Sequence, residues 1–272
     1  MNILKFLEPF TNENLLNSKG SRRESFSQFG KVGKNAALAA VPFGLAALTS
    51  TRSSAADIGP TPATPIGALQ LALTLEYLEA EFYNMGLDSG VIPTGGRDEK
   101  VFMQIAAHEN DHVAFLIAGL GANVVTSPTF DFTVGGAFDP FNATGIGNAA
   151  AYVQFLALAQ AFEDTGVRAY KGQATNLIST PDLLTAALQI HSVEARHASE
   201  VRRLRGLKGW ITLNYRGDGM PAATQAAYNG EELTVQAGYN TAALYGAGAG
   251  SEAFDEPLTT NEAVAIANLF IV

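Results

Sequence analysis

The sequence predicts an all-α protein: a four-helix bundle with one long crossover between its second and third helices, and a C-terminal extension ending in a fifth helix. Three observations lead there. Four segments rich in Leu, Ala and Glu carry apolar residues at helical spacing and open on helix-starting residues. A pattern of carboxylates and histidines occurs twice, as Glu76 then Glu109-Asn110-Asp111-His112, and as Glu163 then Glu194-Ala195-Arg196-His197. The two glutamates are 33 residues apart in the first set and 31 in the second, and Tyr83 and Tyr170 each follow the first glutamate of their set by seven positions. Self-similarity on this scale belongs to a whole fold rather than to a local segment. Finally, 272 residues with 47% hydrophobic and 16% charged side chains can bury a sizeable core and are too apolar for disorder.

Residues 1–56 read as an export leader. Ser21-Arg22-Arg23-Glu24-Ser25-Phe26 precedes Lys31 and Lys34, and then an apolar run, 36–48, broken by Pro42 and Gly44. Twin arginine, a weakly apolar run and the small residues Ser54-Ala55-Ala56 follow in the order of a twin-arginine signal peptide, and the run is too short to span a bilayer. The expectation is export to the periplasm or the extracellular space, with no stable membrane span after signal removal. Seven of the 17 basic residues lie in this leader, so the remainder holds ten basic and 23 acidic residues, a formal charge of −13. Such an acidic body repels phosphate backbones, which argues against nucleic acid as a partner.

The bundle is expected over 57–206. Thr64-Pro65 supplies an N-cap and a first-turn proline for a helix reaching about Leu87, with Leu69, Leu73, Glu76, Ala80, Tyr83 and Leu87 on one stripe. Comparing the halves selects Glu76 over Glu79, because Glu76 pairs with Glu163 whereas Glu79 pairs with Gly166; neither Glu79 nor Glu81 falls at the centre of the stripe. A second helix, Asp98 to Ala118, turns Phe102, Ile105, Glu109, His112 and Leu116 inward and stops before Gly119 and Gly121. Residues 120–147, rich in Gly, Pro, Thr and Phe, form the crossover. A third helix, Asn148 to Thr175, shows Leu156, Gln160, Glu163, Val167 and Tyr170 inward. The fourth opens at Thr180-Pro181-Asp182, ends at Gly206, and turns Ala187, Ile190, Glu194, His197, Val201 and Leu204 inward. The extension, 207–272, is expected to wrap the bundle as irregular chain to about residue 257. Thr259-x-x-Glu262 then caps a last helix whose apolar face, Ala263, Ile266, Ala267, Phe270 and Ile271, needs a cover.

Each glutamate and histidine of the repeat interrupts an apolar line. An unpaired charge there would shift its pKa strongly or destabilise the fold, and four glutamates converging from four helices would repel one another. Two divalent cations would neutralise those charges. The spacing suits this, because side chains at i and i+3 on a helix reach a common point. One Glu-x-x-His occurs by chance on many helices; two copies, each preceded by an inward glutamate at nearly the same distance, do not. With no cysteine in the chain, thiolate zinc and iron–sulfur chemistry are excluded, and carboxylate with imidazole suits iron or manganese.

These residues resemble the ferritin-like superfamily in its bacterioferritin and rubrerythrin arrangement, over Pro65 to about Arg205. The resemblance implies two metal ions, with Glu76 the terminal ligand of one and Glu163 of the other, Glu109 and Glu194 bridging, and His112 and His197 each ligating one. It places Tyr83 and Tyr170 behind the ligands. The segments from Leu75 to Tyr83 and from Phe254 to Thr259 further resemble exported ferritin-like proteins related to plant desiccation-associated proteins. By that resemblance the metals are iron, with manganese as the alternative, the substrate is dioxygen or peroxide, and the activity is that of an oxidase, a ferroxidase or a peroxide-removing enzyme. A di-manganese catalase-like enzyme and a non-catalytic stress protein with structural metals are the other readings. Because the tail past Trp210 departs from ferritins, a homo-oligomer is compatible but a closed, many-subunit ferritin cage is not expected. His108 and His191 lie outside the repeat and read as structural, His108 falling near the face of His112.

Overall fold

The computed structural model describes residues 58–272, and the leader expected over 1–56 lies outside the described residues. Four long helices build the bundle: α1 (Pro65–Ser89), α2 (Arg97–Leu120), α3 (Asn148–Gln173) and α4 (Pro181–Leu204). Local chemistry sets their ends. Thr64 Oγ1 accepts the Gly67 N–H, Pro65 sits in the first turn where no N–H partner is needed, and Gly90 closes α1 in the left-handed region at φ 72°. Acidic residues open α2 and α4, while Arg202 and Arg203 stand in the last turn of α4, each sign matching the helix dipole. α1 pairs with α2 and α3 with α4, as two helix hairpins joined by the crossover.

The extension holds more regular structure than expected. A two-stranded antiparallel hairpin, β1 (Val235–Gln236) and β2 (Tyr239–Asn240), leads into α5 (Ala242–Ser251), which kinks at Gly246, and then into α6 (Thr260–Ala267). The sequence hides α5 because Gly246, Gly248 and Gly250 each weaken helix propensity by about 1 kcal/mol. The Thr259–Glu262 capping box forms at the start of α6. This chain's own bundle covers the apolar face of that helix, and Ala263, Ile266, Ala267, Phe270 and Ile271 are all buried. Beyond α6 the chain pairs with the crossover: the Asp131 N–H donates to Phe270 O at 2.7 Å and the Val272 N–H to Thr129 O at 3.0 Å.

α3 is the central helix. Every residue from Phe155 to Tyr170 is buried, because the bundle covers one side and the extension the other. The polar groups on its outer side are partnered. Arg168 donates to Glu256 O at 2.8 Å and Asn229 O at 2.9 Å, and pairs with Glu231 at 2.7 Å. Asp164 accepts from Arg202 Nη2 at 2.6 Å and from the Tyr228 hydroxyl at 2.9 Å. At Gly172 the extension crosses so closely that a Cβ would lie 1.7 Å from Leu258 O.

The core is divided into two apolar clusters. Leu78, Phe82, Phe102, Phe155 and Phe162 pack at one end, and Leu69, Leu73, Leu116, Leu177 and Leu183 at the other. Burying each such side chain is worth about 1.5–3 kcal/mol. On all four helices the repeated glutamate falls between residues of one cluster and residues of the other, so the polar groups gather at a waist closed on both sides by hydrocarbon. Among the described residues, no helix is long and apolar enough to cross a membrane.

Candidate metal centre

All six ligand-type residues of the repeat meet at the waist. α1 supplies Glu76, α2 supplies Glu109 and His112, α3 supplies Glu163, and α4 supplies Glu194 and His197; the four glutamates are 0% exposed and His197 is 5% exposed. They form two overlapping groups, Glu76–Glu109–His112–Glu194 and Glu109–Glu163–Glu194–His197, each with one ligand atom per residue within 4.8 Å of the others. Glu109 and Glu194 belong to both. Glu109 faces both ways: its Oε2 is 2.9 Å from His112 Nδ1 and its Oε1 is 2.8 Å from His197 Nδ1. His112 Nδ1 also lies 3.2 Å from Glu76 Oε2 and 3.4 Å from Glu194 Oε1, and His197 Nδ1 lies 3.3 Å from Glu163 Oε2.

Each outer glutamate is held from the opposite hairpin. Tyr83 of α1 donates to Glu163 Oε1 at 2.5 Å, and Tyr170 of α3 donates to Glu76 Oε1 at 2.5 Å. Both tyrosines are buried, so the bonds form out of water, where a charge-assisted contact is at its strongest.

Glu79 lies beside the two ligand groups and belongs to neither. The repeat sets it aside because its counterpart is a glycine, and it is nonetheless buried at 2% exposed. A Cβ on Gly166 would lie 2.8 Å from Glu194 Oε2 and 3.2 Å from Glu79 Oε1, so the space that Gly166 leaves open is the space the extra carboxylate uses. The signal was present: Glu76 and Glu79 share the i, i+3 spacing of Glu109 and His112, and so share a helix face. Glu81 is half-buried and stays off the centre. Behind Glu79 and Gly166 a small apolar cavity, walled by Leu75, Leu78, Phe162, Ile266 and Phe270, has room for one water-sized molecule.

His108 and His191 part company. His191 Nδ1 donates to Val167 O at 2.9 Å, an ordinary structural bond. His108 stacks on His197, with centroids 5.1 Å apart, and its Nδ1 lies 2.8 Å from His197 Nε2. The Gln104 amide, 2.6 Å from His108 Nε2, continues the line to the exposed face.

The electrostatics are those of a crowded acidic cluster. Burial pushes Glu76 up to about 7 despite the pull of His112, and raises Glu163 despite His197. Burial and the neighbouring carboxylates hold Glu194 and Glu79 well above the usual range. Burial would raise Glu109 too, but the His112 bond and the facing His197 outweigh it and hold Glu109 below that range. Burial works against the charged form of both histidines, yet the facing carboxylates push His112 up to about 12 and His197 up to about 11. In the metal-free protein, protons on the imidazoles supply the positive charge the carboxylates require.

The donor set fits divalent cations. Glu109 Oε1, Glu163 Oε2, both oxygens of Glu194 and Nδ1 of His197 are buried without a hydrogen-bond partner. His197 Nδ1 and Glu109 Oε1 lie 2.8 Å apart without forming an aligned hydrogen bond. Buried polar atoms are almost always bonded, so five unmatched oxygen and nitrogen donors at one waist mark a place for a hard or borderline metal ion.

A family model described as a ferritin-like domain matches residues 64–207, just over half of the chain. No curated protein matches the chain.

Proposed function

The chain belongs to the ferritin-like domain family, and from that premise we propose that it is a di-metal carboxylate protein whose site handles dioxygen or peroxide. The observation that carries this reading is the pair of overlapping ligand groups sharing Glu109 and Glu194, with five partnerless donor atoms between them. Two iron ions, or two manganese ions, would supply the electron exchange with oxygen or peroxide that no side chain here provides. Glu76 and His112 would hold one ion, Glu163 and His197 the other, and Glu109 and Glu194 would span both.

The protein's own part is positioning and exclusion. Tyr83 and Tyr170 fix the outer carboxylates, as partners behind metal ligands do. The two apolar clusters keep bulk water out, which strengthens every charge interaction between them. Glu79 adds a carboxylate that can take or give a proton beside Glu194. Export by the twin-arginine route belongs to the same proposal and is supported by Arg22, Arg23 and the apolar run 36–48.

Metal analysis of protein from its native compartment, together with oxygen and peroxide consumption, tests the proposal. Two equivalents of iron or manganese with turnover of either substrate are expected. Two metals without turnover would defeat the enzymatic reading and leave a structural metal site. For export, replacing Arg22 and Arg23 by Lys is expected to stop processing, and normal processing of that variant would rule the route out.

A further inference from the structure

The repeat that builds the site is broken at two positions beside it. Glu79 has Gly166 as its counterpart, and His108 has Val193. His108 acts on the His197 half of the site, and Glu79 lies beside Glu194, which both groups share. A histidine that ligates through Nδ1 must keep its proton on Nε2, and His108 Nδ1, 2.8 Å from His197 Nε2, accepts that proton's bond. His108 then carries its own proton on Nε2 and donates to Gln104, whose amide presents its oxygen after a half-turn. Val193, being apolar, cannot do this for His112. The extra carboxylate of Glu79 shares the Gly166 space with Glu194, and Gly166 lies one turn along α3 from Glu163.

The hydrogen bonds divide the same way. Of the atoms without a hydrogen-bond partner, Glu163 Oε2 and His197 Nδ1 belong to the Glu163–His197 group alone, while Glu109 Oε1 and both Glu194 oxygens are on residues the two groups share. In the other group Glu76 is already paired, receiving Tyr170 on one oxygen and His112 on the other, and His112 also reaches Glu109. A cation entering the first group displaces the close contacts of His197 with Glu109 and Glu163, which are not aligned as hydrogen bonds. One entering the second must break the hydrogen bonds of His112 to Glu76 and Glu109.

Resting on the dinuclear reading above, we propose that the two metal positions are inequivalent: the Glu109–Glu163–Glu194–His197 position has the higher affinity for a divalent transition ion and fills first, with His108 as its positioning residue. The Glu76–Glu109–His112–Glu194 position fills second.

Stepwise loading of the chelator-treated full-length protein with cobalt(II) tests the order. At one equivalent, anomalous diffraction should place the ion between Glu163 and His197, and calorimetric titration should resolve two classes of site at least about tenfold apart. His108→Ala should weaken the tighter class by about tenfold or more, shifting its cobalt(II) absorption bands, while His108→Gln, which keeps an acceptor, should restore most of the loss. His197→Ala should abolish the tighter class, and His112→Ala should spare it. A first ion beside Glu76 and His112, equal occupancy at one equivalent, or an unchanged affinity ratio in His108→Ala would overturn the proposal. If the wild-type protein binds no cobalt even in large excess, the dinuclear reading itself fails; if it binds two ions equally, only the order does.

Discussion

Replacing Glu194 by Gln should separate the stability of the metal-free protein from its capacity to bind metal. Glu194 is fully buried, neither of its oxygens has a hydrogen-bond partner, and burial with the facing carboxylates raises its pKa well above the usual range. Burial and its neighbours therefore favour the neutral carboxyl over the carboxylate. Gln has the same shape, is neutral, and brings two N–H donors within a cluster where Glu109 Oε1 and Glu163 Oε2 also lack partners. A buried hydrogen bond nets about 0.5–1.5 kcal/mol, so two make the metal-free Glu194→Gln protein more stable by about 1–3 kcal/mol. In a chain of this size that is a rise in Tm of about 2–10 °C. The opposite effect appears with metal. Glu194 belongs to both ligand groups, so its loss takes a carboxylate from each. The parent should gain about 2.7 kcal/mol at a metal concentration a hundred times Kd, and the variant should gain almost nothing. Calorimetric melts of chelator-treated protein, with and without manganese(II), read both effects. A metal-free variant that melts at or below the parent, or one that manganese still stabilises as strongly, would refute the reasoning.

Gly166→Ala puts a Cβ 2.8 Å from Glu194 Oε2 and 3.2 Å from Glu79 Oε1, so metal affinity measured by titration should fall by about 10–100-fold while helix content is unchanged. Gly172→Ala brings a Cβ within 1.7 Å of Leu258 O, a backbone atom that cannot step aside, and should destabilise the protein by at least about 1–3 kcal/mol and open the extension to limited proteolysis. Metal uptake should release protons. His112 and His197, pushed up to about 12 and about 11, are both protonated near neutral pH in the metal-free protein and must both be neutral to ligate. Loading two ions therefore frees at least two protons, and the overall affinity should rise by about a hundredfold per pH unit, as titrations in buffers of different ionisation enthalpy would show.

The bundle was legible because its signals are local. Pro65 and Pro181 mark helix starts, Gly121 follows an end, and the ligand-type residues sit on stripes that one helix at a time can display. What escaped depends on how elements pack. A single-stripe reading of α1 and α3 treats one face as solvated, whereas α6 and the rest of the extension cover the other, so Leu75, Leu78, Asp164 and Arg168 are buried on faces the periodicity left outside. The burial of Glu79 was hidden for a related reason. Matching the halves residue by residue rewards likeness, but a large side chain on one helix facing a glycine on another is complementarity, and the repeat comparison scores that as a mismatch. The role of His108 rests on a contact 89 positions away in sequence, which no spacing pattern encodes.

The exchange of tyrosines between hairpins bears on how much of this chain is needed for function. The α1–α2 hairpin contributes Glu76, Glu109 and His112 to one ligand group, but that group takes Glu194 from α4, and Glu76 takes its supporting hydroxyl from α3. The α3–α4 hairpin is indebted in the same way, to Glu109 and to Tyr83. Neither half is self-sufficient. A fragment carrying one hairpin would hold three of four ligands and an unsupported outer carboxylate, and would complete the site only by docking against a second hairpin. Cutting the crossover should therefore leave two pieces that recover metal binding on mixing and lack it apart.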